Sequence, residues 1–169
     1  IGFKNATDGR IQPAVDAVLA AARSHWFPST TKEGVAALSE TTGNESCHII
    51  LRGGQSGPNF EPFHIAEACE RLRAVGRRPS VMVDCSHGNS GKDHARQPVV
   101  NEAIARQIEE GGAKIFGVMI EAFLVAGRQE YSPDGEMVSG QSITDACVDL
   151  ATCEAMLERL AQARAKVTA

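Results

Sequence analysis

The sequence has no excess of basic residues. Seventeen lysines and arginines stand against 21 aspartates and glutamates, which gives a formal net charge of -4 at pH 7. Proteins that bind duplex nucleic acid present a strongly basic surface. The charge balance therefore argues against a nucleic-acid partner.

Long apolar runs and paired cysteine motifs are also lacking. No run approaches the roughly 18 residues that span a bilayer, and the chain does not open on a signal-peptide pattern. We therefore expect a cytoplasmic protein with no membrane partner. The cysteines are odd in number and show no Cys-x-x-Cys spacing, which argues against a zinc motif, a redox motif or a disulfide framework. They are Cys47, Cys69, Cys85, Cys147 and Cys153.

The apolar content is sufficient for a folded domain. Hydrophobic residues make up 43% and charged residues 22% of 169 residues, which is the length of one ordinary domain. However, the chain begins at Ile1, without methionine and inside a strand-like segment. This beginning indicates a piece of a larger protein.

Short apolar runs alternate with amphipathic stretches along the chain. Near-continuous apolar runs predict buried strands, and apolar residues at helical spacing predict helices. The predicted strands are 1–4, 47–52, 81–85 and 115–121, and the predicted helices are 11–23, 62–75, 95–110 and one opened by 142–145. Residues 25–42 interrupt this pattern as a hairpin or excursion. Repeated strand–helix units are typical of α/β architecture.

Ionisable side chains follow the predicted strands. Lys4, Arg52, His87 and Glu121 each lie at or just past the carboxyl end of a strand, about one strand–helix unit apart. In a (β/α)8 (TIM) barrel, the active site is built at this rim from several strand ends. Four units make half of such a barrel. The sequence thus predicts that residues 1–169 are the C-terminal half of a barrel domain.

These residues suggest two kinds of site. His87, Glu121 and Asp145 offer an imidazole and two carboxylates, which suit Mn²⁺, Fe²⁺, Co²⁺ or Zn²⁺. The alternative is that Asp145 caps a helix and Glu121 pairs with a surface lysine. Lys4 and Arg52, which lie near glycines, suit a phosphate or carboxylate clamp, with an ordinary surface ion pair as the alternative.

Two further cations follow His87 in the chain. Lys92 and Arg96 lie in the loop that leads to the next predicted helix. They are placed to assist an anionic substrate, although a solvated helix start is the commoner role for such residues.

Five segments in this order resemble the type I 3-deoxy-D-arabino-heptulosonate 7-phosphate (DAHP) synthases, the kind regulated by aromatic amino acids. The resemblance extends over nearly the whole chain but matches only the C-terminal half of that family's barrel. The segments are Gly2–Gly9, His48–Gly54, Asp84–Ser90, Gly117–Glu121 and Gly140–Cys147.

The resemblance implies a reaction and a set of roles. The family condenses phosphoenolpyruvate with erythrose 4-phosphate and releases phosphate, as the first step of the shikimate pathway of aromatic amino acid biosynthesis. By position, His87, Glu121 and Asp145 match three of the family's four metal ligands, and Lys4 and Arg52 match residues that bind phosphoenolpyruvate. Lys4, Arg52 and His87 are accordingly the expected catalytic residues.

Some family features have no counterpart in these residues. The fourth metal ligand is a cysteine on the first barrel strand, and a Lys-Pro-Arg phosphate-binding segment lies on the second. The N-terminal arm, which contributes to the oligomer and to the aromatic effector site, is also missing. The resemblance implies that the missing half is a partner and that the whole enzyme is a homo-oligomer with a possible aromatic amino acid effector.

Two other functions remain open at the level of sequence. One is the related 3-deoxy-D-manno-octulosonate 8-phosphate synthase, which uses arabinose 5-phosphate and matches the segments less well. The other is a non-catalytic α/β module that binds anions. If the chain is half a barrel, its open sheet edge and uncovered apolar face predict weak or absent activity alone, together with self-association.

Overall fold

The structure is a computed structural model that describes residues 1–111 and 114–168. The strands are β1 Gly2–Lys4, β2 Trp26–Thr30, β3 Ala36–Glu40, β4 His48–Leu51, β5 Val81–Asp84, β6 Ile115–Met119, β7 Val125–Arg128 and β8 Gln141–Ser142. The helices are α1 Gln12–Ala21, α2 Pro62–Ala74, α3 His87–Ser90, α4 Gln97–Glu109 and α5 Leu150–Thr168, and a 3-10 turn covers His94–Arg96.

Four strands form the central sheet, in the order β1-β4-β5-β6 and parallel throughout. The predicted α/β class with a parallel sheet is confirmed. The register places Lys4 opposite Ile50, Leu51 opposite Val83 and Asp84 opposite Met119. Because parallel strands end on the same side of a sheet, the residues that follow them share one edge.

One face of the sheet is covered by helices. Successive strand residues point to opposite faces, and on this face Ile49, Leu51, Val81 and Val83 are each 0% exposed. Burying an aliphatic side chain of this kind contributes about 1.5–3 kcal/mol. The helices supply the matching apolar residues, among them Val15, Val18, Ile65, Leu72 and Ile104.

The other face of the sheet is less covered. His48 and Phe116 meet edge to face across it, with ring centroids 4.9 Å apart, and Phe116 remains 45% exposed. Among the described residues, β1 and β6 each pair with a neighbour in the sheet on one side only. The sheet therefore presents two open edges and a partly exposed apolar face.

The interruption predicted at 25–42 is an antiparallel hairpin of β2 and β3, in which Trp26 lies opposite Glu40. It projects from the domain, since Trp26 is 65% and Leu38 71% exposed.

The prediction that residues 142–145 open the final helix is wrong. Ser142 belongs to the small sheet of β7 and β8, and α5 begins only at Leu150. The helix begins there because the Asp149 side chain accepts a hydrogen bond from the backbone N–H of Thr152 at 2.8 Å. Asp149, rather than Asp145, therefore caps this helix.

Helix α5 is joined to α4 by an ionic network. Arg159 contacts Glu102 and Glu109 at 2.7 Å each, and Lys166 contacts Glu109 at 2.9 Å. These pairs join α5 to α4. Within the two described ranges, no helix combines the length and apolarity needed to cross a membrane.

Candidate metal and anion site

Three predicted ligands meet at the carboxyl edge of the sheet. His87 Nε2 lies 3.4 Å from Glu121 Oε1 and 3.9 Å from Asp145 Oδ2. One potential ligand atom from each residue lies within 4.8 Å of the other two. The structure thus brings together the imidazole and the two carboxylates that the sequence singled out. Neither alternative describes them, because Asp145 caps no helix and Glu121 faces His87 rather than a surface lysine.

The backbone delivers His87 through a strained turn. The residue opens α3 three positions after β5 ends, and its φ is 51°, in the left-handed region that non-glycine residues seldom adopt. Such strain is found preferentially at functional sites.

Glu121 is held in place by a buried glutamine. It follows β6 by two residues, and its backbone N–H donates to Gln97 Oε1 at 3.0 Å. The Gln97 amide nitrogen donates back to the Glu121 carbonyl at 3.1 Å, and Gln97 is 0% exposed. Gln97, a helix residue, therefore fixes the loop backbone at Glu121. Sequence reasoning missed this role, because a single glutamine in an amphipathic helix pattern gives no signal of it.

The local environment raises the pKa of Glu121. Burial is the largest cause, and the nearby carboxylates of Asp145 and Asp84 add to the rise, while the His87 imidazole opposes it. Carboxylates brought close together favour a bound cation, because it relieves their mutual repulsion. The donor set fits a divalent ion of the Mn²⁺, Fe²⁺, Co²⁺ and Zn²⁺ group.

Lys4 approaches this cluster from β1. Its Nζ lies 2.9 Å from Oδ2 of Asp84, a carboxylate that is 0% exposed, and the same oxygen lies 2.9 Å from His87 Nδ1. The partner of Lys4 is thus buried inside the site, which differs from an ordinary surface ion pair. One carboxylate links the predicted anion-binding lysine with the predicted metal-binding histidine.

Arg52 lies on an adjoining cavity of about 520 Å³. Glycines Gly53 and Gly54 line it, as do His87, Lys92 and Arg96, so three cations face one space. Arg52 Nε is buried and has no hydrogen-bond partner in the part of the chain that the structure describes. The cavity suits an anion, and Lys92 and Arg96 belong to it rather than merely to a solvated helix start.

Three buried asparagines hold the loops that carry these residues. The Asn5 side-chain oxygen accepts from the Arg52 backbone N–H at 2.7 Å and from Asn59 Nδ2 at 3.1 Å. The Asn89 side-chain oxygen accepts from the Asn59 backbone N–H at 2.8 Å. Sequence reasoning missed this network; its one signal is that Asn5 and Asn89 each follow a strand end.

The loops also approach each other closely. A Cβ added at Gly53 would stand 2.5 Å from the backbone carbon of Gly88, and Gly53 has a φ of 69°. Both the contact and the backbone angle require glycine there. The close approach seats the loop of Arg52 against that of His87.

The cysteines take no part in the ligand cluster. All five are free, and burial raises the pKa of Cys85 to about 12, with a smaller contribution from the charge of Asp84. A thiol of that kind is neither a nucleophile nor a ready metal ligand.

Fold and site together define a class: a parallel α/β protein with a candidate divalent-metal cluster beside a cationic cavity at the carboxyl edge of its sheet. The profile of the DAHP synthetase I family matches residues 1–158. The chain belongs to that family, and the resemblance found in the sequence is confirmed.

Individual relatives agree with this assignment. A phospho-2-dehydro-3-deoxyheptonate aldolase of Alternaria alternata is 49% identical over 168 residues, 98% of this chain and 45% of its own length. The Tyr-sensitive enzyme of that name from Escherichia coli K12 is 44% identical over 163 residues, 96% of this chain and 46% of its own length.

A solved structure is similar in the same way. The phospho-2-dehydro-3-deoxyheptonate aldolase of Francisella tularensis SCHU S4 superposes with a TM-score of 0.91 at 49% identity, over 98% of this chain and 48% of that one. The chain thus spans about half the length of the proteins that it matches.

Proposed function

We propose that the whole protein to which this chain belongs condenses phosphoenolpyruvate with erythrose 4-phosphate to DAHP and phosphate, the first step of the shikimate pathway. One observation carries the proposal. In a chain of the DAHP synthetase I family, His87, Glu121 and Asp145 converge beside Lys4 and Arg52 at one edge of one sheet. Two phosphorylated anions and a cation-assisted carbonyl reaction require this combination of groups.

Lys4 and Arg52 are assigned to phosphoenolpyruvate. Arg52 offers a buried Nε that no described residue hydrogen-bonds, beside the cationic cavity, and its planar guanidinium matches phosphate or carboxylate geometry. The Lys4 ammonium supplies a second charge one strand away. Fixing both the charge and the orientation of an anion lowers the barrier to a reaction between two substrates.

His87, Glu121 and Asp145 are assigned to a divalent metal. When bound, such an ion acts as a Lewis acid that polarises an aldehyde. The chain's own contribution is to fix the imidazole and the carboxylates through the turn at His87 and the Gln97 contacts of Glu121.

The reaction balances as follows. The π electrons of phosphoenolpyruvate form a bond from C3 to the aldehyde carbon of erythrose 4-phosphate, and the aldehyde π electrons move to its oxygen. Water adds its hydroxyl at C2, and its other proton balances the one that the aldehyde oxygen takes. The bond between C2 and the phosphate oxygen then breaks, the C2 hydroxyl becomes a carbonyl, and its proton leaves with the phosphate. The products are one DAHP and one inorganic phosphate. Lys4 and Arg52 hold the anion while the charge moves from C2 to the leaving phosphate.

For the whole architecture, we propose that the four parallel strands are the C-terminal half of a (β/α)8 barrel. The open edges of β1 and β6 and the half-exposed Phe116 support this, because a second set of four strands would pair both edges and cover that face. Residues 1–169 then form one half of a single catalytic domain.

Regulation and location follow the same family reasoning. We propose a homo-oligomer with an aromatic amino acid effector; the E. coli relative is named Tyr-sensitive. Phosphorylated substrates and five free thiols suit the reducing cytoplasm.

The test is phosphate release by the whole purified protein. After chelation, we expect no release from phosphoenolpyruvate and erythrose 4-phosphate until Mn²⁺ is added, and little release when arabinose 5-phosphate replaces erythrose 4-phosphate. Preference for arabinose 5-phosphate would identify the octulosonate enzyme instead. Anion binding without turnover of either sugar would identify a binding module.

A second assay addresses the isolated chain. We expect residues 1–169 alone to show weak or no DAHP synthesis and to self-associate in size-exclusion chromatography. Robust synthesis by a monomer of this chain would contradict the half-barrel proposal.

A further inference from the structure

A buried carboxylate next to the ligand cluster has no role in the scheme above. Asp84 ends β5, is 0% exposed, and accepts two hydrogen bonds at Oδ1: from the Ser86 backbone N–H at 2.9 Å and from the Ser86 hydroxyl at 2.6 Å. Within residues 1–111 and 114–168, its Oδ2 forms no further hydrogen bond, although Lys4 Nζ and His87 Nδ1 each lie 2.9 Å away. The ammonium balances the buried charge, so Asp84 is an acceptor only.

The Ser86 hydroxyl connects this carboxylate to the histidine. Ser86 Oγ lies 2.7 Å from His87 Nδ1, and Ser86 is 2% exposed. A hydroxyl has one proton to donate. Asp84 Oδ1, at 2.6 Å, takes that proton. Ser86 Oγ must then accept from His87, so Nδ1 carries a proton.

The opposite ring nitrogen is then the ligand atom. Nε2 faces Glu121 Oε1 and Asp145 Oδ2, and a metal ligand requires a free lone pair on that nitrogen. Metal-bound histidines generally donate their other N–H to a polar neighbour, which fixes the ring.

We propose that Asp84 and Ser86 are positioning residues that keep the proton of His87 on Nδ1 and thereby present Nε2 to the metal. This inference rests on the proposed metal role of His87. Neither residue need touch a substrate. The contacts from Asp84 through Ser86 to His87 also give a role to the Asp84 carboxylate, which is fully buried beside Lys4.

The isosteric variant Asp84→Asn should reverse this preference. The amide oxygen must stay at the Oδ1 position, because two Ser86 donors point there. The amide N–H2 then replaces Oδ2, 2.9 Å from His87 Nδ1. Two donors cannot face each other, so a proton on Nδ1 is disfavoured. Loss of such a partner typically weakens metal binding about 10–100-fold.

The experiment uses the whole protein and Zn²⁺ as a diamagnetic probe. Zinc affinity is measured by competition with a chromophoric chelator, and nitrogen-15 histidine spectra follow the ring protons, with His87→Asn assigning the signal. In the zinc-loaded parent protein, Nε2 should bind metal and the Nδ1 proton should exchange slowly. In Asp84→Asn, affinity should fall about 10–100-fold and that proton should exchange at least about tenfold faster.

The control is Asp16→Asn, the same substitution on α1, where the carboxylate bonds only Gln12 among the described contacts of its side chain. It should leave zinc affinity within about threefold. If Asp84→Asn does not fold, Ser86→Ala replaces it, with an expected loss of about three- to tenfold because one of two Nδ1 neighbours remains.

The outcomes distinguish the metal role of His87 from the positioning role of Asp84 and Ser86. A parent protein that does not bind zinc would overturn the metal role and this inference together. Zinc binding by the parent, with unchanged affinity in folded Asp84→Asn or, failing that, in Ser86→Ala, would overturn the positioning role alone. Zinc ligation through Nδ1 would do the same.

Discussion

The helix-covered face of the sheet and its carboxyl edge are built on different principles. On the covered face, Ile49, Leu51 and Val83 are wholly buried among other apolar residues, and their side chains are held by packing. At the carboxyl edge, the buried groups are polar, including Asp84 and Gln97, and each is held by specific partners. Val83 of the covered face directly precedes Asp84 of the carboxyl edge, so the two kinds of packing adjoin within β5.

Removing the imidazole should have the largest effect on activity and little effect on folding. His87→Asn deletes the proposed ligand while tolerating the left-handed backbone at φ 51°. Loss of metal assistance worth several kcal/mol predicts a fall in kcat/KM of about 10³-fold or more. Steady-state phosphate release and a thermal melt measure the two effects. Near-normal turnover would remove His87 from the mechanism.

A substitution on the helix-covered face should have a large effect on stability and little effect on activity. Ile104→Ala empties a position that is 0% exposed in α4 and should lower the free energy of unfolding by about 2–5 kcal/mol. Activity per folded molecule should stay near that of the parent. Val99→Ala, on the same helix but 64% exposed, is the matched control and should change stability by less than about 0.5 kcal/mol. Equal losses in a denaturant titration would contradict the packing assignment.

Two glycine-to-alanine substitutions test whether the loop of Arg52 must contact the loop of His87. Gly53 and Gly76 have φ values of 69° and 70°, but an added Cβ meets the Gly88 backbone at 2.5 Å only at Gly53. Gly76→Ala should cost about 1 kcal/mol from backbone strain. Gly53→Ala adds overpacking of about 1–3 kcal/mol and, by displacing Arg52 from His87, should lower kcat/KM about 100-fold.

Equal effects of the two alanines on both stability and kcat/KM would show that the loop contact is unimportant. The comparison holds backbone strain constant, because the two φ values differ by one degree or so. Circular dichroism melts and the phosphate assay suffice for both variants.

The difference between the helix-covered face and the carboxyl edge also decides what could be predicted from the sequence. Apolar runs such as His48–Leu51 and Val81–Asp84 located the strands, because burial leaves a periodic pattern. Ionisable residues after the predicted strands indicated that His87 and Glu121 are neighbours, because parallel topology brings those ends together. Asp145, which was expected at a helix start, lies instead in the loop after β8. The start of α5 was misplaced, since Asp145 and Asp149 are both plausible caps and only tertiary contacts distinguish them.

Long-range polar contacts left no such pattern. Gln97 bonds the backbone of Glu121 from 24 residues away, and Asn59 joins Asn5 from 54 residues away. A single amide in a helix or loop carries no periodicity, so its partner is defined only by the fold. The residues of the covered face can therefore be predicted from the sequence more readily than the polar contacts that hold the site residues in place.

The smallest expected effects concern two glutamates whose contributions to stability respond to pH in opposite directions. Hydrogen bonds from Arg159 and Arg106 lower the pKa of Glu102 from 4.5 to about 2, whereas burial raises that of Glu121 above 4.5. A lowered folded pKa adds stability above the unfolded value, which is lost as pH falls towards about 2. A raised folded pKa does the opposite, because the stability it adds below the unfolded value is lost as pH rises through it.

In the metal-free protein, Glu121→Gln should therefore raise the melting temperature more at about pH 7 than at about pH 4, because the stability lost through the raised pKa of Glu121 grows as the pH rises. Glu102→Gln should lower the melting temperature at about pH 7, by a modest amount because its ion pairs are partly exposed, and the loss should shrink as pH falls towards about 2. Differential scanning calorimetry at the two pH values measures both variants. Adding Mn²⁺ should remove the advantage of Glu121→Gln, because the metal stabilises only the protein that retains its carboxylate ligand. A destabilised Glu121→Gln protein without metal would show that this glutamate, like Glu102, serves the fold rather than the site.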